Sequence, residues 1–153
     1  MANAHAVGRE TSGIVPPIIR EGGRRGWIAS LVAGVVLGGL TLIPPIFFSR
    51  EAAFVFLAIL LGMIGSVYLG FALLDGRMGI FRIEYVGLVV FFVLPLVALV
   101  NDLPLLLAAG YVGHAAWDVI HHPRAVTTAM PAWYVPLCIG YDVVMGVYVL
   151  LRF

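Results

Sequence analysis

The chain has 153 residues, of which 62% are apolar and only 11% are charged, and its formal net charge is +1. A soluble domain carries about 25% charged residues, so this composition excludes a soluble globular domain as well as a disordered chain. The small net charge excludes a nucleic-acid-binding surface, and the single cysteine excludes a disulfide framework or a multi-cysteine metal site.

Residues 1–26 form a polar N-terminal tail that contains glycine, proline and four arginines. A secretory signal needs a short apolar core and a small-residue cleavage site, and neither occurs before Trp27. We therefore expect the tail to remain part of the protein.

Residues 27–153 are predicted to form a single transmembrane helical domain. Four apolar stretches of about 17–23 residues and one shorter stretch are almost free of charge, as membrane spans require. The predicted fold is an all-α integral membrane bundle of about five helices. The predicted spans cover residues 27–48, 52–74, 80–100, 105–122 and 133–151. The third of these could instead begin at residue 85.

Small residues recur at four-residue spacing in the first two spans, a pattern typical of close helix packing. The first span contains Gly34 and Gly38, and the second contains Gly62, Ser66 and Gly70. Besides the lipid bilayer, we expect these faces to contact other membrane subunits or a second copy of the chain.

The distribution of arginine predicts the orientation, because cytoplasmic loops are enriched in basic residues. We expect the protein to lie in the inner (plasma) membrane. If its N-terminus is in the cytoplasm, seven arginines lie on the cytoplasmic side and two lie on the opposite side. The inner set is Arg9, Arg20, Arg24, Arg25, Arg77, Arg82 and Arg124, and the outer set is Arg50 and Arg152.

The fourth span carries an unusual group of ionisable residues. His114, Asp118 and His121 are separated by four and three residues and therefore share one face of a helix, with His122 at its edge. Ionisable residues inside a span are costly, and they usually face the bundle interior and mark a functional site.

Two further acids are predicted to lie near this face. His114 lies about 12 Å along the helix from the cytoplasmic end of span four, and Asp142 lies about 14 Å into span five. Because the two spans are sequential and antiparallel, we expect His114 and Asp142 to be in contact. Asp75 ends the second span on the same side of the membrane, and we expect Asp142 and Asp75 to serve in catalysis.

Three interpretations of these residues stay open. His114, Asp118, His121 and His122 could hold one divalent metal ion, either zinc or iron, because imidazoles and carboxylates are their usual ligands. The same residues could form a structural network of hydrogen bonds. They could also carry protons through the membrane.

The His114–His122 segment resembles a family of small bacterial multi-pass membrane proteins of unknown function. That family shows a His-x-x-x-Asp-x-x-His-His helix, followed by a last span with a cysteine and an aspartate, as at Cys138 and Asp142 here. The resemblance extends to residues 68–77, covers roughly residues 60–150, and implies a polar site without an established activity.

Three functions from different classes follow from these observations. The first is a membrane enzyme with a single metal ion that acts on a lipophilic substrate. The second is an accessory subunit of a larger membrane complex, and the third is a small proton-coupled channel or carrier.

The predicted topology can be tested with a reporter fused after Phe153. Five spans with the N-terminus inside place this fusion on the exterior, so an exterior reporter such as alkaline phosphatase should be active. A cytoplasmic reporter signal from the same fusion site would instead indicate an even number of spans.

Overall fold

The computed structural model describes residues 23–121, 126 and 128–153. The predictions made for residues 1–22 and for His122 therefore lie outside the described residues. The described part of the chain is helical, without strands. Its helices are α1 (Arg24–Thr41), α2 (Ile43–Ile46), α3 (Arg50–Asp75), α4 (Met78–Val100), α5 (Pro104–His121) and α6 (Tyr134–Arg152).

Local sequence signals explain where the helices begin and end. Leu42 separates α1 from the short α2, which contains Pro44 and Pro45. The Ser49 side chain accepts a hydrogen bond from the Ala52 amide at 3.2 Å and so caps the start of α3. Gly76 ends this helix with a φ of 75°, a conformation that glycine adopts without strain.

Four helical segments are long and apolar enough to cross a membrane: Arg24–Ile46, α3, α4 and α6. They fit an all-α membrane bundle, which confirms the predicted fold class. The fourth predicted span, which corresponds to α5, is not among these segments. Its 18 residues extend over about 27 Å, which is close to the thickness of the hydrocarbon core of a bilayer. Its two histidines and one aspartate, however, lower its mean hydropathy.

The helices form two packed pairs, α1 with α6 and α3 with α4, and α5 lies in contact with both pairs. α6 lies between α1 and α5, α3 packs along α4, and α5 also contacts both α3 and α4. Large apolar side chains cover the outer surface of the bundle, as expected for contact with lipid. The centre of the bundle is filled by fully buried apolar side chains: Leu57, Leu61, Leu107, Tyr111, Met145 and Val149.

The first predicted small-residue face packs against another helix of the same chain. Gly34 and Gly38 are both buried against α6. A Cβ atom at Gly34 would collide with the backbone of Leu137, and one at Gly38 would lie 3.1 Å from the Val144 side chain. The predicted close approach of a helix is confirmed, but α6 leaves no exposed surface there for a partner subunit.

The second predicted face is only partly used within the chain. A Cβ atom at Gly62 would lie 3.2 Å from the Phe92 ring of α4, so this glycine allows α3 and α4 to approach. Ser66 and Gly70 are exposed. The predicted contact of these two residues with a partner stays a prediction.

Replacing Gly34 with alanine tests the contact between α1 and α6. Because the added methyl group would meet rigid backbone, we expect Gly34→Ala to lower the free energy of unfolding by about 1–3 kcal/mol. Gly39→Ala is the matched control in the same helix, since no atom lies within 4 Å of its Cβ position. That change should stabilise the helix by about 0.5–1 kcal/mol. Unfolding in detergent measures both variants, and equal effects would contradict the packing described here.

Candidate functional site

Three ionisable side chains meet where α5 packs against α6. His114 and Asp118 come from α5 and Asp142 comes from α6, and all three side chains are fully buried. Each offers one ligand atom that lies within 4.8 Å of the ligand atoms of the other two. We call these three residues the triad, and their arrangement could hold a metal ion.

One ring nitrogen of His114 faces both carboxylates of the triad. This atom, Nδ1, is 2.7 Å from Oδ2 of Asp142, a hydrogen-bonding distance, and 3.7 Å from Oδ2 of Asp118. The contact predicted between His114 and Asp142 is therefore confirmed. The antiparallel packing of α5 and α6 brings these two residues, 28 positions apart, to the same depth.

The triad leaves several buried polar atoms without a hydrogen-bond partner in the described part of the chain. These atoms are Nε2 of His114, Oδ2 of Asp118 and Oδ1 of Asp142. A buried polar atom without a partner is costly. The charges are unequal as well, because two carboxylates face one imidazole, which carries at most one positive charge. An added proton or cation is needed to neutralise the triad.

Tyr68 of α3 contacts the triad from a third helix. Its hydroxyl group donates a hydrogen bond to Oδ1 of Asp118, and its side chain is buried. Tyr68 was not predicted as a site residue, although it begins the 68–77 stretch that the family resemblance covers. The signal was a tyrosine inside a span, since a buried tyrosine hydroxyl usually finds a polar partner.

A second polar cluster lies nearer the C-terminal end of α5 and consists of His121, Glu84 and Thr128. Nδ1 of His121 lies 2.8 Å from the Trp117 carbonyl oxygen, which can only accept, so Nδ1 carries the proton. Nε2 of His121 lies 2.8 Å from Oε1 of Glu84. The Thr128 hydroxyl donates to the same oxygen. This cluster ties α4, the end of α5 and the segment before α6 together.

Helix geometry explains why His121 does not join the triad. His114 and His121 share a face of α5, as predicted, but seven residues separate them by about 10.5 Å along the axis. Two residues on the same face of a helix can therefore lie at different depths in the membrane. His121 reaches Glu84 of α4, while His114 reaches Asp142 of α6.

The other predicted site residues have separate surroundings. The Asp75 carboxylate accepts hydrogen bonds from Arg77 at 2.5 and 2.7 Å and from the Ala129 amide at 3.0 Å, outside the triad. The hydrogen bonds to Asp75 raise the pKa of the Arg77 guanidinium group above its usual value, because they favour its charged form. Cys138 is buried one turn from Asp142. His122 lies outside the described residues.

Comparisons with known proteins identify a family but not an activity. A family model described as "Family of unknown function (DUF6010)" matches residues 28–152. No curated protein and no solved structure matches the chain. The match agrees with the resemblance to an uncharacterised family that the sequence analysis proposed.

Replacing Glu84 with glutamine tests the second cluster. Glu84→Gln keeps the size of the side chain but removes the charged acceptor shared by His121 and Thr128. We expect the free energy of unfolding to fall by about 1.5–3 kcal/mol. Asp102→Asn is the matched control, because Asp102 forms an exposed pair with Arg50 at 3.0 Å. Exposed pairs contribute at most about 1 kcal/mol, so equal losses in detergent unfolding would contradict a stabilising role for the buried cluster.

Proposed function

The chain belongs to DUF6010, a family of unknown function, and we propose that it is a membrane enzyme with one divalent metal ion. In this proposal, His114, Asp118 and Asp142 hold the ion, and the substrate is lipophilic. The protein crosses the inner (plasma) membrane several times with its N-terminus in the cytoplasm.

The observation that carries this proposal is the unbalanced, buried charge of the triad. Two carboxylates and one imidazole meet with all three side chains fully buried. Buried charges are tolerated in proteins when they are paired or coordinate a metal. A divalent cation balances two carboxylates, and it binds imidazole in its neutral form.

The chemistry of the ligands narrows the choice of metal. One imidazole nitrogen and two carboxylate oxygens suit zinc or non-haem iron. Three protein ligands leave at least one position on the metal open for water or substrate. A bound ion of this kind could act as a Lewis acid or lower the pKa of bound water.

The position of the triad favours a lipophilic substrate. The residues lie within a bundle whose outer surface is apolar, so a molecule dissolved in the bilayer would approach the helices directly. Nδ1 of His114 and Oδ2 of Asp142 lie 2.7 Å apart, so an ion held by these two atoms would replace the proton that they share without metal. In this proposal Asp75 has no catalytic role, because Arg77 and Ala129 occupy its carboxylate.

A proton relay is the second candidate, and the direct His114–Asp142 hydrogen bond of 2.7 Å favours it. An imidazole that already bonds a carboxylate can pass a proton to it without a metal. Wild-type protein that is folded without metal and moves protons across liposome membranes would support this function over the enzyme.

A role as an accessory subunit depends on exposed surface. Because α6 covers Gly34 and Gly38, Ser66 and Gly70 are the members of the predicted faces that stay exposed. Co-purification of other membrane proteins in mild detergent, lost when Ser66 and Gly70 are replaced by leucine, would support this role.

Metal analysis of the purified protein tests the main proposal. We expect about one zinc or iron ion per chain by mass spectrometry. Asp118→Asn and Asp142→Asn each weaken one of three ligands. Both substitutions should lower the metal affinity by about tenfold or more. Replacing a residue that only hydrogen-bonds a metal ligand already lowers metal affinity by about 10–100-fold.

Asp102→Asn makes the same chemical change at an exposed turn and should leave the metal content unchanged. Melting temperatures of all variants show whether a loss of metal reflects unfolding. Folded wild-type protein that contains no metal and gains no stability from added zinc or iron would exclude the metalloenzyme.

A further inference from the structure

The two carboxylate oxygens of Asp118 have different surroundings. Oδ1 accepts the hydrogen bond from the Tyr68 hydroxyl. Oδ2 lies 3.7 Å from Nδ1 of His114 and has no hydrogen-bond partner among the residues that the structure describes. With Oδ1 occupied by Tyr68, Oδ2 is the oxygen directed into the space shared with His114 and Asp142.

The Tyr68 ring is held in place by other aromatic side chains. Its centroid lies 4.4 Å from that of His121 and 5.9 Å from that of Tyr134. His121 is itself held on both sides, by the Trp117 carbonyl and by Glu84. A close-packed ring of this kind has little room to rotate, so the direction of the Tyr68 hydroxyl is well defined.

We infer that Tyr68 is a positioning residue of the metal site, an inference that rests on the proposed function. It donates to Oδ1 of Asp118 and thereby directs Oδ2 toward the ion. Carboxylates that bind metals are themselves commonly hydrogen-bonded, and these outer partners orient the ligand. The second cluster contributes indirectly, because His121, which is hydrogen-bonded to Glu84, packs against the Tyr68 ring.

The test compares Tyr68→Phe with Tyr111→Phe in metal-free protein titrated with Co²⁺. Phenylalanine keeps the ring at position 68 but removes the donor to Asp118. We expect the Kd for Co²⁺ to rise by about 10–100-fold and the visible absorption of bound Co²⁺ to change, because the geometry around the ion changes. A merely structural role for Tyr68 would alter the melting temperature without changing that spectrum.

Tyr111→Phe is the matched control. Tyr111 is also fully buried, and its hydroxyl donates to the Leu57 carbonyl oxygen at 2.7 Å rather than to the triad. This variant should lose stability but keep the wild-type Kd and the wild-type Co²⁺ spectrum.

The outcomes separate this inference from the function on which it rests. An unchanged Kd and spectrum in Tyr68→Phe would overturn the role of Tyr68 and leave the metal site intact. Wild-type protein that binds neither Co²⁺ nor zinc or iron would overturn both.

A measurement on protein with Tyr68 intact covers the case in which Tyr68→Phe does not fold. Metal binding draws charge from Asp118, weakens the bond from the Tyr68 hydroxyl and should shift tyrosine ultraviolet absorption. The shift should persist in Tyr111→Phe and in Tyr134→Phe. Its absence in wild-type protein that binds Co²⁺ would overturn the inference.

Discussion

Placing two carboxylates beside one imidazole inside an apolar helix bundle is the constraint on which the rest of this structure depends. An isolated buried charge costs several kcal/mol, and lipid offers no hydrogen bonds to reduce that cost. α5, which carries His114 and Asp118, must therefore turn its polar face toward other helices. It contacts α3, α4 and α6, and each of them supplies a polar side chain to this face: Tyr68, Glu84 and Asp142.

The two polar clusters meet this constraint in different ways. Glu84 and His121 are one acid and one base, so a single proton held between them makes the pair neutral overall, and Thr128 adds a hydrogen bond. The triad has two acids and one base, which leaves one carboxylate unbalanced whatever the protonation of His114. A balanced pair suits a structural role, whereas an unbalanced group needs a proton or a cation. For this reason we propose the triad, rather than the Glu84–His121 pair, as the functional site.

The sequence predicted the fold class and the central contact of the site, because both depend on regular geometry. Apolar length defines spans, and similar depths measured from the cytoplasmic ends of spans four and five predicted the contact between His114 and Asp142. The spacing of His114 and His121 could not show that they belong to different clusters. Spacing predicts which residues share a face of a helix, but it does not predict which neighbouring helix each turn of that face contacts. Nor could it assign Tyr68 and Glu84 their partners, since these are set by the packing of α3 and α4 on α5. Asp75 was expected at the site from its side of the membrane alone, but Arg77, two residues away, is a nearer partner.

Asp142 lies between two glycines of α6, Gly140 and Gly146, that face neighbouring helices. A Cβ atom at Gly140 would collide with the Leu31 backbone of α1, and one at Gly146 would lie 3.4 Å from the Tyr111 side chain of α5. α6 is therefore packed closely against α1 two residues before Asp142, and it contacts α5 four residues after it. Small residues allow such approach in membranes, where association depends on packing rather than on the hydrophobic effect. α1 thus contributes to the geometry of the triad without providing any of its side chains, because it fixes the helix that carries Asp142.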